Sequence, residues 1–177
     1  MKFQTGDVLL LPMQEAQDIY TFIEKYFGKK IADFLSAIEH HKYIHAELYV
    51  GNGYSIAAWF NGVHLVSYPL EAFDKFDVFR TKLTDEQKAK MRGVILEYFN
   101  MPYDFMSLIL NGLPEILSFG IEPLERLIEN YLNYDNPNAV ICSELVARVY
   151  EQVGVKIEPH AEFVTPDDIS QRFEKVL

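Results

Sequence analysis

Apolar residues recur along this chain with two periods, and the change between them divides it into elements. From Gln14 to Glu39, Ile19, Phe22, Ile23, Tyr26 and Phe27 return at intervals of three and four, the spacing of one helical face. Gly28 interrupts that stripe, and a second helix is expected over Ile31 to Ile38. At "YIHAELYV" the period becomes two. Ile44, Ala46, Leu48 and Val50 fall on one face, and Tyr43, His45, Glu47 and Tyr49 on the other. Further strands are expected over Asp7 to Leu11, Tyr54 to Ala58, Val63 to Ser67 and Phe76 to Thr81. Asn61-Gly62 is a hairpin signal between two of them, so the strands after Tyr43 read as an antiparallel meander.

Helical periodicity then returns. Thr84 and Gln87 have capping-box spacing ahead of a stripe made by Met91, Val94, Ile95, Tyr98 and Phe99. "NMPYDF" ends that helix, and apolar segments with Pro and Gly breaks follow from Phe105 to Tyr134. A helix over Ile141 to Gln152 is expected to stop at Gly154, and "TPDDI" supplies Thr165 as cap and Pro166 in the first turn of a last one. Helices around a small antiparallel sheet define an α+β class, and 177 residues suffice for one domain, 1–177.

Composition narrows the function. With 49% hydrophobic and 14% aromatic residues the chain can pay the entropy of folding. A formal charge of -10 repels phosphate backbones and argues against a nucleic-acid partner. The longest greasy stretch, "FMSLILNGLPEILSFGI", is broken by Asn111, Gly112 and Pro114, so no transmembrane segment is expected. The start, "MKFQTGDVLLLPMQEAQD", lacks the apolar core and small-residue site of an export signal, and a cytoplasmic location is the expectation.

The single cysteine, Cys142, begins a predicted helix on the same stripe as Leu145, Val146, Val149, Tyr150 and Val153. Unpaired N–H groups and the dipole at that end favour a thiolate, and Glu144 opposes it. A thiol nucleophile needs a base, and His45 lies inside a strand, on a face shared with polar and aromatic side chains. His40, His41 and His45 also raise a metal site, but the four-residue spacing of His41 and His45 suits a helix and not the strand read there, so no metal and no cofactor are expected. Neither HExxH, GxSxG nor a phosphate-binding Gly loop is present.

"TGDVLLL", "HAELYVGNGYSIAAWFNGVHLVSYPL", "YDF", "CSELVARVYEQVGV" and "TPDDI", in that order, resemble the circularly permuted papain-fold cysteine hydrolases. These are relatives of NlpC-type cell-wall peptidases, closer to the YiiX/YebB-like branch, and lecithin:retinol acyltransferase-like enzymes share the permuted order. The resemblance implies a papain-like fold, Cys142 as nucleophile and His45 as base. It places a third polar residue about twelve positions after the base, where this chain has Ala57. Strand parity puts His64 on the face of Ala57, so His64 is the expected substitute in orienting His45. Tyr103 and Asp104 match a motif that precedes the nucleophile and are expected at the substrate cleft, unless Asp104 merely caps the next helix. Tyr43 and Tyr49 share the face of His45 and could line that cleft.

Three functions follow. The first is a thiol hydrolase, an amidase or peptidase acting on a peptide or acyl-amide, in the cell-wall version by resemblance. The second uses the same pair as an acyltransferase or a lipid or thioester hydrolase, with the apolar insertion at 105–134 as acyl groove or peripheral membrane contact. The third is a non-catalytic binding protein on the same fold, for which Ala57 argues.

Overall fold

A computed structural model describes residues 3–15, 42–104 and 137–177. Gln14 and Glu15 lie in a 3-10 turn, Met13–Glu15; the rest of the helices expected between Gln14 and Glu39, and the apolar insertion at 105–134, lie outside the described residues.

Six strands form one antiparallel sheet: β1 (Val8–Pro12), β2 (Tyr43–Gly51), β3 (Tyr54–Trp59), β4 (Gly62–Ser67), β5 (Asp77–Arg80) and β6 (Glu174–Lys175). Their order is β4-β3-β2-β1-β5-β6. The meander therefore holds for β2, β3 and β4 only. β5 crosses to the far side of β1, pairing Val8 with Phe79 and Leu10 with Asp77. Three α-helices are described: α1 (Asp85–Glu97), α2 (Cys142–Gln152) and α3 (Pro166–Arg172). The chain is α+β, as its patterning predicts.

The local signals act as expected. Thr84 and Gln87 form a reciprocal capping box at α1, with Gln87 N to Thr84 Oγ1 at 3.1 Å and Thr84 N to Gln87 Oε1 at 2.9 Å. Thr165 caps α3 with Pro166 at its first position. Gly62 turns the β3–β4 hairpin with φ +101°, a conformation that side chains resist.

The sheet has two unlike faces. Val8, Leu10, Ala46, Leu48, Ile56, Ala58 and Val63 join α1, α2 and α3 in the main core, through Met91, Val94, Leu145, Val149, Tyr150 and Ile169. The opposite face carries a second cluster: Leu9, Leu11, Tyr49, Phe73, Phe76 and Val78. Phe73 lies in a 3-10 turn, Leu70–Lys75, that connects β4 to β5 across this face.

One irregularity redirects a predicted site residue. The β1–β2 register slips between Leu11, opposite His45, and Pro12, opposite Tyr43. A one-residue slip reverses which face a side chain takes. Tyr43 thus leaves the face of His45 and is buried in the main core, edge-on to Phe79 with centroids 5.6 Å apart. Its hydroxyl donates to Asp77 at 2.6 Å. Tyr43 does not line the cleft anticipated for it.

Candidate active site

Cys142 is the first residue of α2, and its N-cap is Ile141, which offers no side-chain acceptor. The first N–H groups of the helix are therefore not claimed by a cap. Glu144, one turn in, reaches back to accept from Ile141 N at 3.1 Å and pairs with Arg148 at 2.6 Å. Ahead of the helix, Val140 forms a parallel bridge with Tyr103: Val140 N donates to Pro102 O and Asp104 N to Val140 O, both at 3.1 Å. Two elements thus fix where the helix begins, and all its residues from Cys142 to Ala147 are buried.

A gap in the sheet receives the sulfur. β2 and β3 pair through Leu48↔Ile56 and Tyr49↔Ser55, and the described ladder goes no further toward His45. Tyr49 N donates to Asp7 O on the β1 side, so N–H groups of even-numbered residues of β2 face β3. The N–H of Ala46 faces the gap, and it donates to the Cys142 sulfur, as does Ser143 N.

His45 comes to the same sulfur from β2. Its ring hydrogen-bonds Cys142. Nε2 is 3.2 Å from Glu47 Oε1, which leaves Nδ1 for the sulfur. The indole of Trp59 covers one ring face, with centroids 4.1 Å apart and planes at 35°. Burial pushes the imidazole's pKa down, but the charge and hydrogen bond of Cys142, with those of Glu47, more than offset this and lift it to about 9. Burial pushes the thiol up, but the charge and hydrogen bond of His45, helped by the N–H groups of Ala46 and Ser143, bring it below its ordinary value. Both shifts favour a thiolate–imidazolium pair.

Glu47 is the residue that sequence reasoning missed. It is fully buried, and besides His45 it accepts from Tyr68 Oη at 2.8 Å and from Ser55 Oγ. Burial favours its neutral form, but His45, Ser55 and Tyr68 together hold its pKa below the usual carboxylate range. A signal for it existed: two residues beyond His45 on the same strand, Glu47 has to share its face.

His64 does not occupy the place expected of it. It pairs with Ala57 across β3–β4, as parity predicts, but its Nδ1 meets the carbonyl of Gly62 at 2.9 Å. Continuing the β2–β3 register sets Ala57 against Glu47, and β4 lies a further strand away. The far nitrogen of His45 is taken by Glu47.

Tyr103 and Asp104 flank the helix start. Burial and the charges of Cys142, Asp104 and Glu144 hold the Tyr103 phenol protonated, well above its ordinary pKa. Its ring meets Phe60 edge-on at 5.3 Å. Asp104 is 3% exposed, and the helix it was expected to cap lies outside the described residues; its charge, after burial, helps raise Glu144 to about 7, against the opposing pull of Arg148. His40 and His41 lie outside the described residues. Among the described residues no group of three His, Cys, Asp or Glu side chains could hold a metal ion, and no helix is long and apolar enough to cross a membrane.

Compared with models of known protein families and with the curated proteins, the chain matches none.

Proposed function

We propose that this protein is a thiol-dependent hydrolase of amide bonds, an amidase or peptidase on a permuted papain-like fold, with Cys142, His45 and Glu47 as its triad. One observation carries the reading: a thiol at a helix start bonded to a strand imidazole whose other nitrogen rests on a buried carboxylate. A packed core thiol needs none of these partners.

The Cys142 thiolate attacks the carbonyl carbon of the substrate. The N–H of Cys142, at the start of the helix, is the donor for the oxyanion. The His45 imidazolium passes its proton to the leaving amine as the C–N bond breaks, leaving a thioester on the sulfur. His45 then takes a proton from water, whose oxygen attacks the thioester, and the acid leaves with the thiolate restored. Glu47 holds the imidazole's direction and its positive charge throughout.

The test is a set of N-acyl amides and peptides offered beside fatty-acyl thioesters, with mass spectrometry of the protein during turnover. An acyl adduct on Cys142 from the amides, absent in Cys142→Ser and His45→Ala, supports the proposal. An adduct from thioesters alone moves the reading to acyl transfer, and a thiol that alkylates no faster than free cysteine at pH 7 refutes both.

A further inference from the structure

Glu47 is held by more donors than the orienting of one imidazole requires. Ser55 Oγ occupies Oε2, while Oε1 receives His45 Nε2 at 3.2 Å and the phenol of Tyr68 at 2.8 Å. The terminal torsion of a Glu side chain is broad and poorly restrained by its own sterics. Out of contact with water, this carboxylate takes the direction its donors impose. Ser55 comes from β3 and fixes one oxygen. Tyr68 comes from elsewhere: it follows β4 and begins the connection that crosses the face opposite the main core. Its ring stands edge-on to Phe73 at 5.7 Å and tilted on Phe76 at 5.6 Å. Both phenylalanines are buried among Leu9, Leu11, Tyr49 and Val78, so the phenol reaches the carboxylate from a packed floor.

We propose that Tyr68 is a positioning residue of this site, its phenol pinning Oε1 of Glu47 against Nε2 of His45. The β4–β5 connection thereby helps set where the imidazole points. The inference rests on the triad reading above. The ionisable groups facing His45 are Cys142 and Glu47, and those facing Glu47 are His45 and Tyr68.

The test compares Tyr68→Phe, which keeps the ring, with Glu47→Gln and the unaltered protein. Trp59 is the only tryptophan and stacks on His45, so its fluorescence reports the imidazolium directly. Alkylation by iodoacetate gives a second readout, because the anionic reagent is drawn to the imidazolium and slows as that charge is lost. For Tyr68→Phe both alkaline midpoints should fall, by less than in Glu47→Gln, and iodoacetate alkylation at pH 8 should slow several-fold while the thermal midpoint moves by only a few degrees. Unmoved midpoints in Tyr68→Phe alone overturn the role of Tyr68 and leave the triad standing. An upward shift also overturns it, since the phenol would then be competing with the imidazole for the oxygen. Unmoved midpoints in both variants refute the triad reading itself.

Discussion

Glu47→Gln isolates the contribution of one negative charge to this site. The amide keeps the shape and one acceptor, so Ser55 and Tyr68 retain a partner, but the imidazolium loses the anion 3.2 Å from its Nε2. A hydrogen bond to a charged group contributes roughly 1.5–3 kcal/mol net. At about 1.4 kcal/mol per pKa unit, that is a fall of about one to two units. His45 stands at about 9 in the unaltered protein. Its midpoint in the variant should therefore lie at about 7–8. The acid limb should hardly move, because thiolate formation beside an imidazolium depends on His45 and the two N–H donors, not on Glu47. Two optical titrations separate the limbs: Trp59 fluorescence for the alkaline one and thiolate absorbance near 240 nm for the acid one. A Trp59 midpoint unchanged in Glu47→Gln, or a shift confined to the thiolate limb, would refute this account of the charge.

The coupled pair also predicts a stability window. The raised imidazole contributes stability that is present below its unfolded value of about 6.5 and lost as pH rises through about 9. The lowered thiol contributes stability that is present above its unfolded value of about 8.5 and lost as pH falls through its folded value. From the higher of about 6.5 and the thiol's folded value up to about 8.5, both states bind the same number of protons, so the pair's contribution should form a plateau in urea midpoints, with falling shoulders that Cys142→Ser removes. Glu144, raised to about 7 from 4.5, should cost the protein stability as pH climbs through that interval. Relative to Glu144→Gln the loss should approach about 3 kcal/mol, and parallel denaturation curves for the two proteins would exclude it. Gly62→Ala would place a Cβ 2.9 Å from the carbonyl oxygen of Met101 at a φ of +101°. A destabilisation of about 1–3 kcal/mol is expected, and a change below about 0.5 kcal/mol would show that the hairpin gives way.

What the sequence made legible follows from the range over which each signal acts. Caps, the alternation in β2 and the stripe of α2 are local, and each lies within two residues of its expected place. The meeting of Cys142 with His45 was legible because a helix stripe and a strand face each have a direction. Tyr43 was misplaced because the slip opposite Pro12 comes from pairing with β1, which alternation within β2 cannot reveal. β5 left the meander for a similar reason: its hydrophobic pattern suits a place beside β1 as well as one beside β4. Glu47 shares the strand face of His45, whereas the resemblance places the third polar residue on the neighbouring strand, where Ala57 stands with His64 beside it.

The Tyr103–Val140 bridge has a consequence for engineering. It brings the two ends of segment 105–136 side by side, clasped by a pair of main-chain hydrogen bonds. Val140 stands two residues ahead of Cys142, so the clasp relays the position of Tyr103 to the start of α2 through main-chain atoms alone. Such bonds tolerate any side chain at Tyr103, and any but proline at Asp104 and Val140, so these positions can be varied without undoing the clasp.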